Sequence, residues 1–128
     1  MTSKKRRVMT DSVEGASTAA SGVLVVMAHA PASVSEEEFL AWFRSHLPEI
    51  LAIPCFVEAR LLQIEVFASA PGQALPYKHM AIYDFVGDPA SAMGALAEAR
   101  AAGQMKLPEW FDEFERDHCL VSWTGVPA

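Results

Sequence analysis

Along residues 35–54 the apolar positions recur at helical spacing. Phe39, Trp42, Phe43 and Leu47 fall at i, i+3, i+4 and i+8, with His46 in line at i+7. The pattern predicts an amphipathic helix that carries a histidine on its apolar side. Ser35 and Glu38 form an S-x-x-E capping box at its start, and Glu36, Glu37 and Glu38 put negative charge where the helix dipole favours it. Pro48 either ends this helix or starts another turn, and Pro54 closes the stretch.

Around this helix the pattern changes period. Residues 23–29 form a short, β-branched apolar run that predicts a central strand. Residues 56–67 begin with Val57, Ala59 and Leu61 alternating against Glu58 and Arg60, a second strand whose far end blurs. Residues 69–76 read as a loop with a Pro-Gly turn, and residues 77–86 as a third strand. Asp88 as N-cap and Pro89 at the first helical position open a second helix, rich in Ala, Met and Leu, which Gly103 stops. A short amphipathic turn over residues 108–117 precedes a last strand at 118–124. The order strand, helix, strand, strand, helix, strand predicts an α+β fold. It is the ferredoxin-like split βαβ arrangement, a four-stranded antiparallel sheet with two main helices on one face.

Composition narrows the class. With 128 residues, 52% of them apolar, the chain is expected to fold as one domain over residues 23–128, preceded by a disordered tail over 1–22. No apolar run reaches the length of a membrane span and no secretory h-region follows the N-terminal charges, so the expected location is cytoplasmic. The net charge of -6 is uneven: Lys4, Lys5, Arg6 and Arg7 lie in the tail, leaving six basic and fourteen acidic residues in the body. That acidic body argues against a nucleic-acid partner, which would need a basic stripe. Cys55 and Cys119 are too few for a disulfide framework and lack metal-type spacing. Four histidines without carboxylates at ligand spacing predict no metal site. There is no phosphate loop and no G-x-S-x-G elbow, which sets aside nucleotide use and serine hydrolysis.

The run from strand 1 through helix 1 resembles the EthD-like branch of the dimeric α/β-barrel proteins. Trp42, Phe43, His46, Pro48, Ile50, Leu51, Ile53, Pro54 and Cys55 stand at that branch's aromatic, histidine, apolar and proline positions. Two departures are visible: Phe43 stands where the branch has tyrosine, and Cys55 where it has glycine. Strand 3, with Tyr77 and His79, is also similar to the Y-x-H strand of the stress-responsive barrel proteins, which include a plant polyketide cyclase. The resemblance covers residues 23–125. It implies a homodimer whose sheets pack face to face, each subunit keeping a small pocket between sheet and helices. Relatives of this fold include cofactor-free monooxygenases, haem-degrading oxygenases, lactone isomerases and polyketide cyclases, and fold alone does not choose among them.

Regular alternation puts Tyr77, His79, Ala81, Tyr83 and Phe85 on one face of strand 3, and the resemblance turns that face toward the pocket. His46 and His79 are then the acid/base candidates, because imidazole takes and gives a proton near neutral pH. Tyr83 would hold or protonate an oxygen. Phe39, Trp42, Phe85 and Trp110 would form walls for an aromatic or polyketide-like molecule, with His29 near the end of strand 1 as a further contact. Each has a plainer role open to it: His46 bonding a backbone carbonyl, His79 at a strand edge, Tyr83 in the core, His29 in a loop. His118 is expected to cap or pair with the acidic segment before it. The resulting expectation is a small cofactor-independent cyclase, isomerase or lyase. The alternatives are a monooxygenase, with haem as the one cofactor the sequence leaves open, and a non-catalytic ligand-binding dimer.

Overall fold

The computed structural model describes residues 20–65 and 77–125. Seven elements follow in order: β1 (Ala20–Ala28), α1 (Glu36–Leu51), β2 (Phe56–Gln63), β3 (His79–Val86), α2 (Pro89–Ala101), α3 (Phe111–Asp117) and β4 (Cys119–Gly125). All pairings are antiparallel and the sheet order is β2-β3-β1-β4, the ferredoxin-like arrangement predicted from the alternation of elements. The expected tail over 1–22 and the loop over 69–76 lie largely or wholly outside the described residues. Within them, β1 already starts at Ala20 rather than after Gly22.

Gly22 shows why that start is specific. A Cβ there would meet the Thr124 carbonyl oxygen at 2.1 Å and Phe85 Cζ at 2.8 Å, so only glycine lets β1 run between β3 and β4 at this level. At the other end of the sheet β2 stops at Gln63, short of the expected reach, and residues 66–67 lie outside the described set.

α1 begins as its capping box requires, with Ser35 Oγ accepting from the Glu38 N–H at 3.0 Å. It runs through Pro48 without ending, and Ala52 N–H closes the last turn on the Pro48 carbonyl at 3.0 Å. Phe39, Phe43 and Ile50 are its buried face. β3 alternates strictly: His79, Ala81, Tyr83 and Phe85 are buried beneath the helices. α2 is capped by Asp88, whose carboxylate accepts from Ser91 N–H at 3.3 Å, and ends at Gly103 with φ 75°. The turn expected near 108–117 is a true helix, α3, which buries Phe114.

One aromatic cluster joins these layers. Phe39 meets Phe43 edge-on at 5.5 Å, Phe114 at 5.5 Å and Trp110 at 5.9 Å, while Phe56 meets Tyr83 and Phe85 across β2 and β3. The strand registers place Val23, Val25 and Met27 of β1 on the opposite face of the sheet, with Met80 and Ile82 of β3, Leu62 of β2 and Leu120 of β4. Leu120 is 52% exposed. Among the described residues no helix covers this second apolar face.

Candidate functional site

The sequence of α2 leaves a space in the fold. Its only buried residues are Ala92 and Ala99, and methyl groups do not fill the gap between a helix and a sheet. A cavity of about 490 Å³ lies there, bounded by α1, α2, α3 and the helix-side face of β1, β3 and β4. Leu24, Phe43, Ile50, Tyr83 and Phe114 form its buried end. The exposed lining residues Ala97, Arg100, Ala101, Leu107, Glu115 and Val121 mark its mouth. The size and mainly apolar lining suit a small hydrophobic ligand.

His46 lines this cavity from α1 and is held on several sides. Its Nδ1 lies 3.0 Å from Glu49 Oε1, and the other Glu49 oxygen accepts from the Lys106 N–H at 3.0 Å. Trp42 stacks on the imidazole, with 4.9 Å between centroids and 17° between planes, while its own N–H donates to the Lys106 carbonyl at 2.9 Å. An ionised carboxylate only accepts, so Nδ1 carries the proton and Nε2 is left as the basic nitrogen of the neutral ring. Burial lowers the His46 pKa and outweighs the opposing pull of Glu49. His46 is therefore a neutral, oriented base at neutral pH.

Tyr83 lines the same cavity from β3. Its hydroxyl makes no hydrogen bond among the described residues, although its ring is packed in the core. Burial alone pushes its pKa far up, so the phenol stays protonated and keeps a hydroxyl that can donate a hydrogen bond. One wall thus carries an imidazole and the floor a phenol hydroxyl.

His79 is elsewhere. Its ring is buried, and Nε2 lies 2.6 Å from Glu36 Oε2 at the first turn of α1. His46 is ten residues further along that helix, roughly 15 Å at 1.5 Å per residue, so the two histidines do not converge on one ligand. Phe39 and Phe85 face the helix layer as expected but are wholly enclosed by the core rather than lining the cavity. Trp110 packs edge-on against Trp42 at 5.3 Å, behind the cavity wall. His29 faces His118, with Nε2 2.7 Å from His118 Nδ1, and His118 also approaches Glu113 at 3.6 Å. Of the expected wall residues, Trp42 is the one on the cavity.

The sequence reading passed over Glu49, Arg100 and Glu115. Glu49 was legible in principle, since i, i+3 spacing on a helix puts a carboxylate beside His46. Arg100 and Glu115 come from different helices, and no local pattern joins them. Cys119 lines the cavity, but burial and Glu115 push its thiol up to about 11, away from nucleophilic use at neutral pH. Among the described residues no group of three His, Cys, Asp or Glu side chains is placed to hold a metal ion.

No family model and no curated protein matches this sequence. Solved structures do. An ethyl tert-butyl ether D (EthD) family protein from Bacillus halodurans superposes with a TM-score of 0.56 at 15% identity, over 84% of this chain and 99% of that one. A candidate monooxygenase from Shewanella loihica superposes with a TM-score of 0.52 at 12% identity, over 86% of this chain and 98% of that one. At these identities the likeness shows the fold alone: the chain shares its ferredoxin-like architecture with these two proteins.

Proposed function

We propose that the protein is a small enzyme that moves protons on a hydrophobic carbonyl compound of aromatic or polyketide-like type. The observation that supports this reading is the presence of His46 and Tyr83 on one apolar cavity. His46 Nε2 removes a proton from the carbon beside the carbonyl, and the Tyr83 hydroxyl donates a hydrogen bond to the oxygen as it becomes an enolate. The imidazolium then returns the proton to another carbon or to oxygen, so isomerisation, cyclisation or elimination needs no added oxidant. Glu49 is a positioning residue that holds the ring and favours the imidazolium while it exists.

Deuterium exchange tests this. In D₂O near neutral pH the protein is expected to speed exchange of the α-protons of 2-tetralone, an enolisable bicyclic ketone, above the buffer rate, as read by NMR. Exchange no faster than in buffer, across a panel of such ketones, would overturn the reading. A second reading follows from the name of the Shewanella loihica neighbour: a neutral buried histidine can also deprotonate a quinol for reaction with oxygen. Oxygen uptake with a quinol, and no ketone exchange, would favour it. Simple ligand binding is the third reading, and it loses one of its supports because the cavity is open and Trp42 and Tyr83 are not packed on each other.

The bare sheet face is proposed to meet a second copy of the chain. Val25, Met27, Met80 and Ile82 lie at its centre, and the described helices pack on the other face. Light scattering is expected to give twice the 13.9 kDa chain mass, and Ile82→Asp is expected to give monomers. A wild type that runs as a monomer at micromolar concentration would remove this interface.

A further inference from the structure

We propose that Arg100 selects the ligand: the cavity takes a hydrophobic molecule with a carboxylate at the end away from His46, and that carboxylate replaces Glu115 on the guanidinium. This rests on the cavity being the ligand site, as proposed above. Among the described residues, Arg100 and Glu115 are the only lining residues that carry a guanidinium or a carboxylate. They stand at the mouth, 41% and 46% exposed, with Nη1 and Nη2 donating to the two carboxylate oxygens at 2.7 and 3.0 Å. Behind them the walls are apolar as far as His46 and Tyr83. A ligand that buries its body in the cavity and keeps a polar end near water meets this ion pair.

The pair does not open equally to every head group. An ammonium must expel Arg100 from Glu115, and the guanidinium then gives up both hydrogen bonds together with its seat over the Phe111 ring, 5.0 Å from the centroid. A carboxylate expels only Glu115. The guanidinium keeps its ring contact and exchanges one pair of acceptors for another of the same geometry. Glu115 turns into water from a position already nearly half exposed, where an ion pair is weak. Asp112 also acts on Arg100 from the same helix, so an anion enters by exchange with Glu115 rather than by addition to it. A neutral head leaves the pair closed and draws nothing from it.

The test is isothermal titration of octanoate, octanol and octylammonium, which share one chain length, into wild type, Arg100→Met and Glu115→Gln at neutral pH. In wild type, octanoate is expected to bind roughly tenfold more tightly than octanol, the scale of one charge-assisted contact. Arg100→Met is expected to abolish that preference while retaining octanol binding, which also shows that the variant is folded. Glu115→Gln is expected to widen it. Equal binding of octanoate and octanol by wild type would overturn the proposal and leave the cavity as the ligand site. Tightest binding of octylammonium would transfer the role to Glu115 and overturn it too. Binding of none of the three would remove the cavity as a ligand site, and this inference with it.

Discussion

Replacing His46 by glutamine is expected to reduce turnover of an enolisable cavity ligand by ~10²–10⁴-fold, the range for loss of a positioned general base. Glutamine preserves much of the side chain's size and can still reach Glu49, so the loss falls on the chemistry rather than on the wall. The pH profile carries the same mechanism with a definite sign. The base must be neutral, and burial sets the His46 pKa below its ordinary value of 6.5. Activity is therefore expected to be flat through neutral pH and to fall only after the solution passes below that value. Glu49→Gln removes the charge that raises the pKa, so the acid limb moves to still lower pH, while kcat drops because an amide, which both donates and accepts, no longer fixes one tautomer. Stability shares this dependence. The folded state binds the His46 proton less readily than the unfolded chain, so its contribution is complete above 6.5 and is lost as the pH falls toward and through the lowered folded value. An undiminished rate in His46→Gln would take His46 out of the mechanism.

Phe39→Ala is expected to cost about 3–5 kcal/mol, the usual loss for truncating a fully enclosed phenylalanine. Phe39 is 0% exposed and touches rings from Phe43, His79, Trp110 and Phe114, so the gap it leaves is surrounded by side chains that are themselves braced. In a domain of this size the unfolding midpoint should drop by ~10 °C or more, measurable by calorimetry. This result separates two roles for the same residue. A wall residue would change ligand affinity with little effect on the midpoint, and that outcome would reverse its placement in the core.

Much of the fold was legible because its signals are local. The Ser35 capping box, the spacing of Phe39 and Phe43, the Asp88-Pro89 start and the alternation of β3 each depend on residues within a few positions of one another. Pro48 was ambiguous because tertiary packing, not propensity, decides whether a helix continues through proline. The site was less legible for a physical reason. Period-two alternation put His79 and Tyr83 on one face of β3 and the resemblance turned that face inward, but neither speaks to position along the strand. His79 stands level with the first turn of α1, whereas Tyr83 lies under the cavity. The cavity itself arises from what α2 lacks. A helix whose fully buried positions are the alanines Ala92 and Ala99 reads as a good helix and gives no direct sign of the space it leaves beneath.

The place of β1 in the sheet bears on how the chain is made. Its two edges are claimed by β3 and by β4, and the second partnership joins Gly22 to Gly125, roughly 100 residues apart, a separation of the kind that slows folding. On the ribosome the first strand therefore waits with one edge bare until residues 119–125 emerge. A nascent chain arrested before Cys119 would present Val23, Val25 and Met27 beside an unpaired backbone, the form most open to chaperone capture or to pairing with a neighbouring chain.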